Sequence, residues 1–142
     1  MENKKITCYQ DLDVYQRSYR VCIEVMTKIL PKLPPSEKYD LKDQLSRSSK
    51  AVPRLIAEGF AKKHQLRGFQ KYLDDAMSEA NETQVGLCQC RDIYGHLVDL
   101  ELCKKYIKEY DIIGRQLYKL KEAWNYFTNK PKPKDQTDRH KP

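Results

Sequence analysis

Apolar residues recur at alternating steps of three and four along most of the chain, which is the spacing of one buried face of an α-helix. Four separate stretches between residues 11 and 127 show this pattern. Short polar links join them, and almost no alternating strand pattern lies between them. The pattern predicts an all-α fold, an antiparallel up-down four-helix bundle with left-handed packing near about +20°.

The first predicted helix begins at Asp11, a residue type that caps helix N-termini, and ends between Leu30 and Leu33 because Pro34 and Pro35 follow. One face of this helix is predicted to pack in the core. It consists of Leu12, Tyr15, Tyr19, Cys22, Met26, Ile29 and Leu33.

The second predicted helix starts at Asp40, with Asp43 in a capping-box position, and ends near Ala57–Phe60 with Gly59 as its stop. An interior proline, Pro53, predicts a kink costing roughly 3 kcal/mol unless packing or a serine hydroxyl compensates. Small residues near the middle and end of the helix leave room for close helix packing. The predicted buried stripe is Leu41, Leu45, Ser49, Val52, Ile56 and Gly59, and the serines placed to compensate are Ser48 and Ser49.

Two longer helices are predicted in the second half of the chain. The third has about 26 residues and ends at Gly95-His96, and the fourth starts near Asp99. The third stripe is Phe69, Leu73, Ala76, Ala80, Thr83, Leu87, Cys90 and Tyr94. The fourth is Cys103, Ile107 or Tyr106, Tyr110, Ile113, Leu117, Leu120, Trp124 and Phe127.

These boundaries predict an N-terminal arm over residues 1–10, a bundle over 11–127 and a disordered basic tail over 128–142. The tail contains three prolines, five cations and two acids after Phe127, and no apolar residue with which to build a core. A solubilising tail and a phosphate-contacting arm are equally good interpretations of it.

Composition narrows the class of protein. No apolar run approaches the ~20 residues of a transmembrane helix, and the N-terminus lacks the apolar segment of a signal peptide, so we expect a cytoplasmic protein without membrane attachment. The five cysteines are an odd number without paired CxxC spacing, which predicts free thiols and neither a disulfide framework nor a zinc site.

No catalytic or cofactor constellation is present in the sequence. The three histidines, His64, His96 and His140, share no helical face with a cysteine or carboxylate at ligand spacing. The acids around Glu79 and Glu82 invite a di-metal interpretation, but the Glu-x-x-His motif that such sites use is absent. We therefore expect no enzyme, no metal and no cofactor, with Glu79 and Glu82 pairing with cations of an adjoining helix and Glu58 pairing with Arg54.

Positive charge is concentrated in one part of the chain. Between Lys42 and Lys71 there are eight cations and two acids, within a chain of net charge +7. Arg47, Lys50 and Arg54 are spaced to form one ridge opposite the second helix's core stripe, where they could follow a phosphate backbone. A solvated charged face is the alternative. The candidate nucleic-acid-binding residues are Arg47, Lys50, Arg54, Lys62, Lys63, Arg67 and Lys71.

Two further groups of residues have simpler interpretations. Several of the ten tyrosines could stack on bases, but Tyr15, Tyr19, Tyr94 and Tyr110 are assigned to the core because they lie on its stripes. Cations also follow the fourth helix, interrupted by Asp111, and these are interpreted as solvent-exposed. They are Lys104, Lys108, Arg115 and Lys119.

The segment QLSRSSKAVPRLIAEG at Gln44–Gly59 resembles the signature of the four-helix-bundle family of ribosomal-RNA intervening-sequence proteins, related to the accessory variability proteins of diversity-generating retroelements. Ser46 stands where the family usually has a second arginine, and Leu55 where it usually has asparagine, which questions any polar role at those two positions. Similar motifs in the same order are DLDVYQRS at Asp11–Ser18, FQKYLDDA at Phe69–Ala76, ANETQ at Ala80–Gln84 and RDIYGHL at Arg91–Leu97.

The resemblance implies a homo-oligomeric ring, commonly a pentamer, and a reverse transcriptase as a partner. Apolar residues off the four stripes, together with the small residues around Gly59, also favour contact between chains. These off-stripe residues are Val14, Val21, Ile23, Val25, Phe60, Tyr72, Ile112 and Tyr118.

Two functional hypotheses follow. The first is a non-catalytic accessory or scaffold protein that binds nucleic acid, RNA or DNA, through charge. The alternative is a structural oligomeric adaptor whose basic face meets an acidic protein partner without touching nucleic acid.

Overall fold

The structure, a computed structural model, describes the backbone of residues 5–129 and the side chains of residues 5–124. Every regular element in this part of the chain is helical, and the four long helices pack as a bundle, which confirms the predicted fold class. They are α1 (Asp13–Glu24), α2 (Leu41–Ala61), α3 (Gly68–Ile93) and α4 (Leu100–Asn129). Short 3-10 turns occupy Tyr9–Asp11, Leu30–Lys32 and Pro35–Glu37, and Val25–Ile29 forms a π-turn.

The helices end close to where the sequence places them. The predicted end of the first helix at Leu30 to Leu33 matches the 3-10 turn that closes it, and α3 has the predicted length of 26 residues. The predicted arm of residues 1–10 is described from Lys5 onwards, and the predicted tail lies outside the described residues beyond Asn129.

Neither of the two aspartates predicted to cap a helix makes the expected capping hydrogen bond. Asp11 closes the 3-10 turn before α1, where its carboxylate accepts hydrogen bonds from the Thr7 amide (2.9 Å), the Thr7 hydroxyl (3.0 Å) and the Cys8 amide (3.2 Å). These bonds, the Thr7 amide's first, lower the pKa of Asp11 to about 2. Asp40 holds the N-cap position of α2, but Glu37 accepts the Leu41 amide hydrogen bond instead, at 3.2 Å.

The predicted stripes of α2 and α3 are confirmed. All six stripe residues of α2 are buried, and so are those of α3 except the half-buried Tyr94 at its end. A hydrogen bond between the Thr83 and Ser48 hydroxyls, 2.8 Å long, joins the two helices inside this apolar contact. Because both hydroxyls are buried and paired, this bond helps to fix the orientation of α2 against α3 and leaves neither buried hydroxyl without a hydrogen-bond partner.

Gly59 has a different role from the predicted helix stop. The helix continues to Ala61, and a Cβ added at Gly59 would lie 2.5 Å from the Tyr72 Cβ and 3.0 Å from the Phe69 ring. The small side chain therefore allows α3 to approach α2 closely. The space predicted for a second chain is filled within this one.

Pro53 lies inside α2 without ending it. Its ring is buried, and the helix runs two further turns beyond it. The Ser49 hydroxyl donates to the Ser46 carbonyl at 3.4 Å, while Ser48 accepts from Thr83, so both serines bond to groups other than the carbonyl that Pro53 leaves without an amide. Burial of the ring is thus the compensation that the structure shows.

The core face of α1 is the main error of the sequence-based prediction. Tyr19 is 51% exposed, whereas Val14, Val21 and Val25, expected outside, are buried. Ser18 completes the inner face, and its hydroxyl donates to the Tyr15 carbonyl at 3.1 Å. Leu12, Cys22, Ile29 and Leu33 are buried as predicted.

This helix consequently has a second apolar face, which we call the outer α1 face: Tyr15, Tyr19, Ile23 and Met26. Ile23 is 49% exposed, and Tyr15 and Met26 are half-buried.

The fourth helix resolves the alternative at its second position, since Tyr106 is buried and Ile107 only half-buried. The Tyr110 hydroxyl is buried without a hydrogen-bond partner among the described residues, and burial raises the pKa of this phenol. The side chain of Phe127 lies outside the described part.

Burial also raises the pKa of the Cys90 thiol to about 12 and that of the Cys103 thiol to about 11. All five cysteines are free thiols, as predicted.

Candidate nucleic-acid interface

The predicted cations of α2 form a ridge on the outside of the bundle, opposite the buried Leu45, Val52 and Ile56. Arg47 and Arg54 are exposed, and Lys50 is half-buried. We call Arg47, Lys50 and Arg54 the α2 ridge. At 1.5 Å per residue it extends about 10 Å along the helix, which allows side chains of this length to reach successive phosphates.

Most of the ridge charge is not neutralised by the protein. Arg47 contacts Asp43 at 3.3 Å, but both side chains are largely exposed, and such surface pairs contribute little. Among the described ion pairs none includes Lys50 or Arg54, so the predicted pairing of Glu58 with Arg54 is wrong. A bound anion would therefore not have to displace a partner from either side chain.

The remaining four candidates form a second group where α2 passes into α3. Lys62 and Arg67 bound the connecting segment, Lys63 lies within it, and Lys71 follows in the first turn of α3. The Lys63 ammonium lies 4.2 Å from the centre of the Phe60 ring, a cation–π contact that orients it. Arg67 has a left-handed backbone, with φ of 57°. We call Lys62, Lys63, Arg67 and Lys71 the basic connection.

The two groups are neighbours but do not form one continuous row. The turn of α2 between Arg54 and Lys62 carries the exposed Glu58 and Ala61. A ligand contacting both groups would have to pass this acidic side chain. The structure therefore divides the seven predicted residues into the α2 ridge, on the middle of α2, and the basic connection at its end.

The cations of α4 are interspersed with acidic side chains. Arg115 contacts Asp111 at 2.9 Å, and Lys104 lies 3.9 Å from Glu101. Since two of these cations have acidic partners within one helical turn, the row is a solvated surface with mixed charge. This agrees with its interpretation from sequence and makes it a suitable reference for the α2 ridge.

The tyrosines beside the α2 ridge were assigned to the core from their spacing and not recognised as part of a site. A groove of about 500 Å³ runs between α1 and α2, where Tyr15 and Tyr19 lie on one side and Lys50 and Arg54 on the other. Tyrosines four residues apart, with Arg17 and Arg20 close by, were a possible signal. Because Tyr15 and Tyr19 also fit the spacing of a core stripe, the sequence did not favour a binding role for them.

Glu79 and Glu82 on α3 do not form the predicted ion pairs. None of the ion pairs in residues 5–124 includes Glu79 or Glu82. Burial raises the pKa of Glu79, and the neighbouring charges of Glu82 and Asp75 raise it further. In the described part of the chain, no group of three or more His, Cys, Asp or Glu side chains is arranged to hold a metal ion, and His140 lies outside it.

Among residues 5–129, no helix combines the length and apolar character needed to cross a membrane.

Comparison with protein families gives a match to the 23S rRNA-intervening sequence protein family over residues 10–119. The matched span contains α1, α2, α3, most of α4 and all seven candidate binding residues. A comparison with curated proteins gives no match.

Proposed function

The chain belongs to the 23S rRNA-intervening sequence protein family, and on this premise we propose that it is a non-catalytic accessory or scaffold protein that binds nucleic acid through charge. The observation that carries the proposal is the α2 ridge. Its cations stand on one exposed helix face, and Lys50 and Arg54 have no acidic partner in the described structure. Lys62, Lys63, Arg67 and Lys71 would extend the contact beyond the ridge.

Binding of this kind is a matter of phosphate contacts, so its strength depends on salt. If each ridge cation contacts one phosphate, log affinity for duplex DNA should fall with log salt with a slope of about −2.7, or more steeply if the basic connection takes part. Fluorescence anisotropy over a salt series, with duplex DNA, single-stranded DNA and structured RNA, would measure it. Salt-independent binding, or no binding to any of the three, would support the acidic-protein adaptor instead.

The proposal includes assembly into a homo-oligomer, most simply a pentamer, as the family resemblance implies. Fewer of the off-stripe apolar residues are available for contact between chains than the sequence predicts, because Val14, Val21, Val25 and Phe60 are buried. Tyr118 on α4 remains exposed and still offers apolar contact surface. Cyclic closure would repeat the α2 ridge around one axis and add avidity.

Light scattering should therefore return about 84 kDa, five times the 16.8 kDa of one chain. The mass of a single chain would contradict both the ring and its avidity.

The resemblance to accessory variability proteins extends the proposal to a reverse transcriptase as a protein partner. A cytoplasmic location is also proposed, and the five free cysteines fit a reducing compartment. No catalytic role is proposed for any residue. The raised pKa values of Cys90 and Cys103 keep these thiols protonated and hence unsuited to nucleophilic chemistry.

A further inference from the structure

We propose that the outer α1 face and the cations beside it bind a single-stranded stretch of nucleic acid. Bases would stack on Tyr19 and Tyr15, and phosphates would lie at Lys50 and Arg54. The inference rests on the proposed function and specifies its ligand. It also corrects the assignment of Tyr19 to the core, whereas the half-buried Tyr15 packs against the core as well.

The space for such a ligand is present on both sides of the tyrosines. The groove between α1 and α2 has a volume of about 500 Å³, and a second groove on the outer side of α1 has about 470 Å³. Tyr15, Tyr19 and Ile23 line both grooves, so these side chains separate one groove from the other. Volumes of this size are typical of small-molecule pockets, and a base fits within either.

The rings are held in place by each other. The Tyr9 ring packs edge-on against Tyr15 with centroids 4.8 Å apart, and the Tyr15 and Tyr19 centroids are 5.8 Å apart. Tyr9 and Tyr15 are half-buried, whereas half of Tyr19 faces solvent. The result is an aromatic platform supported from within and open at its outer end, which is the arrangement on which unpaired bases stack.

The charges around the platform favour a polyanion. No acidic residue lines the first groove, where Lys50 and Arg54 lie. The second groove contains Arg20 and one acid, Glu24, which contacts Lys28 at 3.2 Å. A strand crossing the tyrosines would meet cations on the α2 side, and the one carboxylate that lines the second groove is already paired.

Two other occupants fit less well. A duplex keeps its bases stacked inside, so it could use the cations but not the rings. A second copy of the chain seated here would cover Lys50 and Arg54, for which the first groove supplies no acidic partner. Only a single strand uses the aromatic and the cationic sides together.

The test compares Tyr19→Leu and Tyr19→Phe in the intact protein. Leucine keeps an apolar side chain but removes the ring, while phenylalanine keeps the ring. Affinity for fluorescein-labelled oligo(dT) should fall at least about fivefold in Tyr19→Leu and stay near wild type in Tyr19→Phe. Affinity for a labelled duplex of equal length should not change. Tyr39→Leu is the control, since Tyr39 is exposed and lies beside Lys38 but lines neither groove.

Each other result has a defined meaning. If Tyr19→Leu binds oligo(dT) normally, or loses duplex binding equally, stacking is wrong while salt-dependent binding by the wild type still supports the proposed function. If light scattering shows that Tyr19→Leu changes the number of chains in the assembly, the outer α1 face contacts a second copy and the inference fails. If the wild type binds neither of these nor structured RNA, the proposed function itself fails.

Discussion

A triple variant, Arg47→Glu, Lys50→Glu and Arg54→Glu, is expected to fold normally and to lose roughly a hundredfold or more in nucleic-acid affinity. Each reversal lowers the net charge by two, so the chain goes from +7 to +1. Hydrogen bonds to charged groups contribute about 1.5–3 kcal/mol each, and the variant removes up to three while adding repulsion. The slope of log affinity against log salt should become shallower by about one for each phosphate contact removed.

Folding should survive because the three side chains point away from the core. The one ion pair lost is that of Arg47 with Asp43. A glutamate there would face Asp43 one turn away, a like-charge contact costing about 0.2–0.5 kcal/mol. Circular dichroism and thermal unfolding would verify that the variant is native.

The matched control places the same three reversals on α4: Lys104→Glu, Lys108→Glu and Arg115→Glu. It makes the same change in net charge, but two of its cations already have acidic partners, Glu101 and Asp111. We expect a markedly smaller loss of affinity. Equal losses in both triple variants would mean that overall charge, and not the α2 ridge, determines binding.

Gly59→Ala and Gly114→Ala should change stability in opposite directions. A methyl at Gly59 would overlap the Tyr72 Cβ, an atom fixed to the backbone of α3, so the two helices would have to separate. Overpacking of this kind costs about 1–3 kcal/mol and outweighs the gain in helix propensity, so we expect a net loss of about 1–2 kcal/mol. At Gly114 no atom other than the helix's own nearby backbone lies within 4 Å of the added Cβ, and we expect a gain of about 0.5–1 kcal/mol.

Urea unfolding of the two variants and the wild type would measure both effects. Each variant is the control for the other, because both replace a glycine by alanine within a long helix. A Gly59→Ala protein as stable as Gly114→Ala would show that α2 and α3 are not in the close contact described here.

The sequence predicted α2 and α3 well because each has one apolar face. In α1 the apolar residues are spread over two faces, and both fit a helical repeat. The true core face contains Ser18, whose hydroxyl is satisfied locally, so a search for apolar residues favours Tyr15 and Tyr19 instead. The π-turn then shifts the phase of the repeat near its end, which spacing alone does not reveal.

The candidate site was predictable to the same extent as the helix that carries it. The α2 ridge followed from the spacing of Arg47, Lys50 and Arg54 on a helix whose opposite side was plainly apolar. The groove could not be predicted, because its tyrosines lie on α1 and its cations on α2. Which sides of two helices face each other depends on three-dimensional packing, and the sequence-based prediction placed Tyr19 in the core, whereas half of it faces solvent.

The π-turn at Val25–Ile29 has a consequence for comparing family members. A π-turn contains one more residue than an α-helical turn, as the bond from the Leu30 amide to the Val25 carbonyl shows. Deleting one residue here would restore a regular helix, whereas a deletion elsewhere in α1 would rotate its remaining residues by about 100° relative to the core. Single-residue length differences among homologues should therefore be aligned as gaps within this turn.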